Sequence, residues 1–406
     1  MAISDAHSAL LADARSLQPA TVRLRREIHR YPEQGLTLPR TQAAVLDALR
    51  DLPLSLTTGE STTSVVGVLE GSRPGPTVLL RGDMDALPLT EDTGLEFASE
   101  VGDSMHACGH DTHVAMLASA ARLLSARRDE LAGRVLFMFQ PGEEGYHGAR
   151  YMIDEGLLDP AGPAGTPSRA LAVHITSTLR SGLVTSRPGP IMASSDVLRV
   201  TVTGRGGHAA MPHDAVDPIT PAAAMVGMLQ TLISKRTSVF DPVVITIAHI
   251  TAGTTSNIVP ETAHLEGTIR TLSDSARLVV HEEIRRACEH LAATYGCTAE
   301  VNIELGYPVT VNDDEVGTEV IDLAGRLLGT AHAEAMPDPL MGAEDFSYVL
   351  HRVPGAMAFL GGCPDGVAPE EAPANHSNRV VFDEAAMAHG VALYAGFALE
   401  TLGTSR

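Results

Sequence analysis

The sequence predicts an α/β protein: a mixed-sheet domain with helices on both faces, interrupted by a smaller inserted α+β domain. Three observations carry this reading. Short apolar runs alternate with helical ones through the first half of the chain. A β-α-β-β-α-β succession then runs from Ser195 to Leu305, the order of ferredoxin-like domains. The helical pattern resumes over 315–329, and a further candidate site residue, His376, lies later still, so the middle domain is inserted rather than appended. The predicted segments are 1–188, 189–306 and 307–406.

Taken in order, Asp13 to Asp51 has helical periodicity, broken at Tyr31-Pro32-Glu33-Gln34-Gly35, where proline removes a donor and glycine permits a turn. Ser64 to Leu69 and Thr77 to Arg81 read as strands, His113 to Arg127 as a helix and Val135 to Phe139 as a strand. Ala149 to Glu155 is helical and Ala170 to His174 extended. Sheets of this kind hold their chemistry beyond the carboxyl ends of the strands. Polar residues cluster at such ends: Asp83 and Asp85 after Leu79-Leu80, Glu143 and Glu144 after Phe139, His174 after Val173. Pro188-Gly189-Pro190 opens the inserted domain. Its strands are Ser195 to Thr203, Val243 to Ile250, His264 to Thr271 and Thr298 to Leu305, and its helices are Asp217 to Ser234 and Ser273 to Tyr295.

Composition narrows the function classes. A chain of 406 residues suggests two domains. With 44% hydrophobic residues, 4% aromatics and no Trp, the core must be aliphatic. A net charge of −21 without clustered Lys and Arg opposes nucleic-acid binding. Met1 to Gln18 lacks the pattern of a signal peptide. No stretch approaches the ~20 apolar residues of a membrane span. Cys108, Cys288, Cys297 and Cys363 are scattered without a CxxC pair, which predicts reduced thiols and a cytoplasmic location.

The chemistry gathers in a few segments. In Met105-His106-Ala107-Cys108-Gly109-His110-Asp111, Cys108 and His110 can aim soft and borderline donors at one zinc-type ion. Asp111 can orient an imidazole. An isolated Cys-x-His is more often a packed thiol at a helix start, so the neighbouring segments decide. Gln140-Pro141-Gly142-Glu143-Glu144-Gly145 places two carboxylates after an apolar strand. One can ligate while the other takes a proton from water, the division that metal-assisted hydrolysis needs. Alone, such a pair is usually a solvated loop. Alternation puts Asp83 and Asp85 on one side, as ligands, as orienting groups or as a capped turn. His174 closes a strand, whereas His376 is a loop histidine of little weight alone. His106, His113, His147 and His213 read as orienting or structural.

The strings RGDMDALP, MHACGHDTHVAML, FQPGEEG, GRGGHAAMPH, SNIVPE, GTIRTL and GAEDFSYVL occur in order between about His29 and Val391. They closely resemble the aminoacylase and carboxypeptidase metallopeptidase family. Within it they are similar to the branch of hippurate hydrolases, N-acyl-amino-acid amidohydrolases and indoleacetyl-amino-acid hydrolases. The resemblance implies a zinc-peptidase-like catalytic domain and an inserted dimerisation, or lid, domain. It implies Cys108, His110, Glu144, His174 and His376 as ligands of two divalent ions, zinc or manganese, with cobalt or nickel as alternatives. Cys108 would bridge them, and Glu143 would be the general base. Asp85 falls where other branches carry the Asp of a His-x-Asp, and is grouped with the catalytic residues; Asp83 replaces that histidine, so one ligand is missing. His208 would reach a partner subunit's site to stabilise the oxyanion, while Asn257 and Arg270 would hold the substrate's α-carboxylate. The working unit would be a homodimer, or a tetramer, acting on small N-acyl amino acids. A dipeptidase, an N-carbamoyl-amino-acid hydrolase and a non-enzymatic metal protein are the alternatives. Two departures border the expected cleft: Ile175-Thr176-Ser177-Thr178 lacks prolines frequent in relatives, and Tyr146-His147 follows the glutamates where small residues are frequent.

Overall fold

The structure, a computed structural model, describes residues 5–403; the first four residues of the stretch read above as no signal peptide lie outside them. The chain forms two compact units. The first comprises Met1–Ile191, Val311–Asp338 and Asp345–Arg406, and the second Met192–Thr310 with Pro339–Glu344.

The first unit is built on an eight-stranded mixed sheet. Its spatial order is Leu54–Thr58, Val65–Glu70, Ala132–Gln140, Arg73–Asp83, Arg169–Thr176, Gly355–Gly361, Val184–Ser186 and Ala333–Ala335. The four central strands run parallel. Residues 77–83 and 355–361 are buried without interruption, as strands covered on both faces must be. The Arg73–Asp83 strand has the next strand in sequence on one side and Arg169–Thr176 on the other. The strand order therefore reverses around it, where a crevice opens at the carboxyl ends.

Helices Asp5–Arg30, His110–Ala126, Asp314–Leu328 and Met387–Leu402 join the sheet in one aliphatic core that includes Leu10, Leu80, Val114, Leu171, Val320 and Val391. The long helical prediction resolves into Asp5–Arg30 and Pro39–Leu49, with Pro39 at the first helical position, where its missing N–H costs nothing. Among the described residues, Glu384–Leu402 alone is long and apolar enough to cross a membrane, with mean hydropathy 1.2, which corrects the sequence expectation. Most of it is buried, so its apolarity is that of a core helix. Gly355–Gly361 was not anticipated as a strand. Its Ala, Gly and Met content has weak strand propensity, and only burial between two neighbours makes it one.

The second unit has a four-stranded antiparallel sheet ordered Val243–Ala252, Thr262–Thr271, Asp196–Thr203 and Thr298–Leu305. Helices Ile219–Arg236 and Asp274–Thr294 interleave with these strands in the β-α-β-β-α-β order. Both contribute to its core, through Met225, Leu229, Val280, Ile284 and Cys288. Ser273 caps the second helix by accepting the Ala276 N–H at 3.0 Å. All four cysteines are unpaired and buried, as expected of small apolar residues.

Candidate metal centre

The central strands of the first unit part at their carboxyl ends. Arg73–Asp83 pairs with Arg169–Thr176 through Arg81–Ala172, then continues against Ala132–Gln140 as far as Asp83–Gln140. The phenol of Tyr394 sits at the fork, accepting the Val173 N–H at 3.0 Å and donating to the Arg81 carbonyl at 2.6 Å. One hydroxyl thus satisfies two backbone groups that the divergence would strand.

Each loop beyond these ends has a reason for its shape. Gly109 has φ 88°, and a Cβ there would lie 2.4 Å from Ile175 Cγ2. Only glycine fits between Cys108 and His110 while both side chains turn to one point. The Asp85 carboxylate accepts the N–H groups of Glu143 and Glu144, both at 2.9 Å. Asp85 therefore fixes the glutamate loop, and its Oδ1 also stands 3.4 Å from His110 Nδ1, beside the ring of a candidate ligand. His376 has φ 69°, a left-handed conformation rare outside glycine, and its N–H bonds to the Ala107 carbonyl at 2.9 Å.

The histidine tautomers are set by their second nitrogens. His174 donates from Nδ1 to the Ile175 carbonyl at 2.7 Å, which leaves the Nε2 lone pair towards Cys108 Sγ at 3.4 Å. His113 donates from Nδ1 to Asp83 at 2.5 Å and accepts the Ile175 N–H at Nε2 at 2.7 Å. Both its nitrogens are occupied in the neutral form, so it orients its neighbours. Asp83 is also held by Arg81 at 2.6 Å, and Arg81 reaches Gln140 at 2.9 Å and Asp345 at 3.2 Å. Arg81 and Tyr394 were missed as site supports. Their signals were a charge inside an apolar strand and a hydroxyl inside the apolar run 391–398.

Five donor groups lie among the described residues, each with its donor atoms within 4.8 Å of one another, and two of them share Cys108: Cys108 with His110 and His174, and Cys108 with Glu144 and His376. His376 Nε2 lies 3.3 Å from Cys108 Sγ and 3.2 Å from Glu144 Oε1. His110 is fully buried, yet neither ring nitrogen makes a well-formed hydrogen bond. Buried polar atoms are rarely left so; with its proton on Nδ1, towards Asp85, the ring has an Nε2 lone pair that fits a bound cation. A thiolate, imidazoles and a carboxylate form a donor set for zinc-type ions, and a shared thiolate suits two of them. Glu143, also buried, groups with His110 and Glu144.

Electrostatics agree with a centre organised for cations. Burial opposes the charge on Asp83, but Arg81, His110 and His113 outweigh it and hold the carboxyl well below the usual range. Hydrogen bonds that the His376 ring gives to Cys108 and Glu144 push its pKa up to about 10. Burial raises the Cys108 thiol, with Glu144 adding to it. Burial and His113 hold His174 neutral, its pKa well below the usual imidazole range. Protons and metal ions thus compete for the same lone pairs.

The remaining expected residues lie on the second unit. His208, in the short strand Gly207–His208, pairs with Ile258, and the Ala209 N–H bonds to the Asn257 carbonyl at 3.1 Å, so His208 and Asn257 are neighbours. The Ala210 N–H bonds to His208 Nδ1 at 3.0 Å, which places the proton of the neutral ring on Nε2. Arg270 stands on Thr262–Thr271, opposite Val244, half-buried and with its pKa lowered by desolvation. Of the histidines read as orienting, His147 meets the Tyr348 hydroxyl at 2.9 Å and His213 is exposed.

Residues 79–400, which carry this centre, match the family described as peptidase family M20/M25/M40. The chain belongs to this family. It is accordingly a metal-dependent hydrolase of amide bonds. Thermostable carboxypeptidase 1 of Saccharolobus solfataricus is 37% identical over 398 residues, covering 96% of this chain and 97% of that protein. N-acetylcysteine deacetylase of Bacillus subtilis is 36% identical over 342 residues, 84% of this chain and 87% of that one. A crystal structure of a Bacillus subtilis protein, described as a dinuclear metal binding peptidase from the M20 family, superposes with TM-score 0.82 and 30% identity. That match covers 96% of this chain and 99% of the other.

Proposed function

We propose that this M20-family chain hydrolyses the amide bond of N-acyl amino acids, releasing a carboxylic acid and a free amino acid. The observation that carries the reading is the hold of the Asp85 carboxylate on the Glu143 and Glu144 backbone amides, which brings both glutamates to one centre. With both backbone amides drawn into one carboxylate, Glu144 joins Cys108 and His376 while Glu143 is held beside His110 and Glu144. Cys108, His110, Glu144, His174 and His376 would hold two divalent ions, zinc or manganese, with Cys108 shared. When bound, the ions polarise the amide carbonyl and make a water acidic near neutral pH. Glu143 takes the water's proton and passes it to the departing amine.

The amino-acid side of the substrate would be held through its carboxylate by Asn257 and Arg270, and His208 would donate from Nε2 to the developing oxyanion. Such a role for His208 calls for a homodimer in which the residue serves the partner's site. The relatives' names support this class from two directions. A carboxypeptidase and an N-acetyl amino-acid deacetylase both cut an amide whose nitrogen belongs to a residue bearing a free carboxylate.

The test pairs Glu143→Gln with a substrate panel. Turnover should fall by about 10²–10⁴-fold, the usual contribution of a general base, while metal content measured by elemental analysis stays at the wild-type level. Retained activity would remove Glu143 from the mechanism. N-acetyl and N-benzoyl amino acids should be cleaved. Turnover confined to dipeptides or N-carbamoyl amino acids would overturn the substrate class.

A further inference from the structure

Three of the five candidate ligands, Cys108, His174 and His376, arrive on separate segments, His174 near the end of the strand Arg169–Thr176 and the other two on loops, and one uncharged side chain touches all three segments. Asn375 donates from Nδ2 to the Cys108 carbonyl at 3.1 Å and to the Ile175 carbonyl at 3.0 Å. Its Oδ1 accepts the Ser177 N–H at 3.2 Å and lies 3.5 Å from the Ser177 hydroxyl, which donates to the Pro373 carbonyl at 2.7 Å. Only one orientation of the amide matches these donors and acceptors, since two carbonyls face one end and an N–H the other.

The bonded atoms sit close to the ligands. The Cys108 carbonyl belongs to the thiol-bearing residue, and the Ile175 carbonyl also receives His174 Nδ1–H, fixing that ring. His376 follows Asn375 directly, in a left-handed conformation that its own N–H to Ala107 secures from the other side. A residue held in a sparsely populated conformation persists only where its surroundings determine it. Sheet pairing with Gly355–Gly361 holds the chain as far as Thr176, and just beyond it the Asn375–Ser177 contact ties the strand end to the His376 segment.

We propose that Asn375 is a positioning residue that locks the Cys108, His174 and His376 segments into one geometry and thereby sets the metal affinity of the centre. The proposal rests on the reading of those three residues as ligands. Asn375 itself is not a ligand, since its amide is spent on backbone groups. Orienting partners of this kind are worth about 10–100-fold in metal affinity.

The experiment compares Asn375→Ala and Asn375→Asp with His376→Ala in the full chain. Zn²⁺ affinity is read by competition with a chromophoric chelator, and the melting temperature of the metal-free form is read alongside. Asn375→Asp retains the acceptor for Ser177 but replaces the NH₂ group by one oxygen facing two carbonyls, so it keeps the test open should the alanine variant fold poorly. Both Asn375 variants should bind Zn²⁺ about 10–100-fold more weakly, with a loss larger than any change in metal-free melting accounts for. If His376→Ala weakens binding and the Asn375 variants do not, the positioning role is overturned while the ligand reading stands. If none of the three weakens binding, the ligand reading fails and the proposal with it. A melting-temperature loss in the Asn375 variants with unchanged affinity would make Asn375 a structural residue only, which also overturns the proposal.

Discussion

Exchanging Asp85 for asparagine keeps the side chain's shape and removes one of its two acceptor oxygens. In the native loop the carboxylate takes the Glu143 and Glu144 N–H groups at 2.9 Å each. The asparagine oxygen can take one, and its NH₂ group then confronts the other. The charge-assisted bond lost is worth about 1.5–3 kcal/mol, and the stranded N–H costs about 1–3 kcal/mol more. A total near 3–5 kcal/mol falls on a loop that carries both glutamates, against a domain stability of about 5–15 kcal/mol. The same change removes the negative charge 3.4 Å from His110 Nδ1. Urea unfolding of the metal-free protein should show a loss of about 3 kcal/mol or more, and kcat of the metal-loaded variant should fall by about 10–100-fold. A variant matching wild type in both measurements would refute the argument that Asp85 holds the glutamate loop in place. Lower stability with undiminished kcat would show that the loop is held by Asp85 but that its exact position does not govern turnover.

Two further outcomes follow from buried groups. Tyr394→Phe strands the Val173 N–H and the Arg81 carbonyl at the strand fork, and should destabilise the protein by about 2–4 kcal/mol in chemical unfolding. In the second unit, burial disfavours charge on Asp196, but hydrogen bonds from His281 and Arg277 outweigh this and lower its pKa. A depressed folded-state pKa gives stability that is present above the unfolded value of about 3.9 and is lost as pH falls through the folded one. Unfolding measured from neutral pH downwards should therefore show an acid loss below about pH 4 that Asp196→Asn flattens; equal slopes for both proteins would refute it.

Much of the architecture was legible because period and punctuation are local. The β-α-β-β-α-β run was visible from alternation within Ser195 to Thr203 and from the helical period of Ser273 to Tyr295, both of which hold in the structure within a residue or so. Gly355–Gly361 escaped notice because a run of small residues has no period to read, and its strand conformation comes from neighbours at 169–176 and 184–186. Glu384–Leu402 showed the converse: its composition alone resembles a span, and only packing reveals a core helix.

The centre divides in the same way. The sequence by itself determined which donor chemistries were present, and that Cys108-x-His110 and Glu143-Glu144 stood at strand ends, because adjacency and strand alternation are short-range properties. It also carried the family resemblance. The tertiary structure decided what those residues do to one another. It turned Asp85 into the acceptor that holds the loop of two glutamates, closed both nitrogens of His113 with Asp83 and Ile175, and brought His376 from 268 positions away to Cys108. A hydrogen bond is decided by distance and angle between groups that the fold brings together, and no local pattern in the chain encodes that meeting.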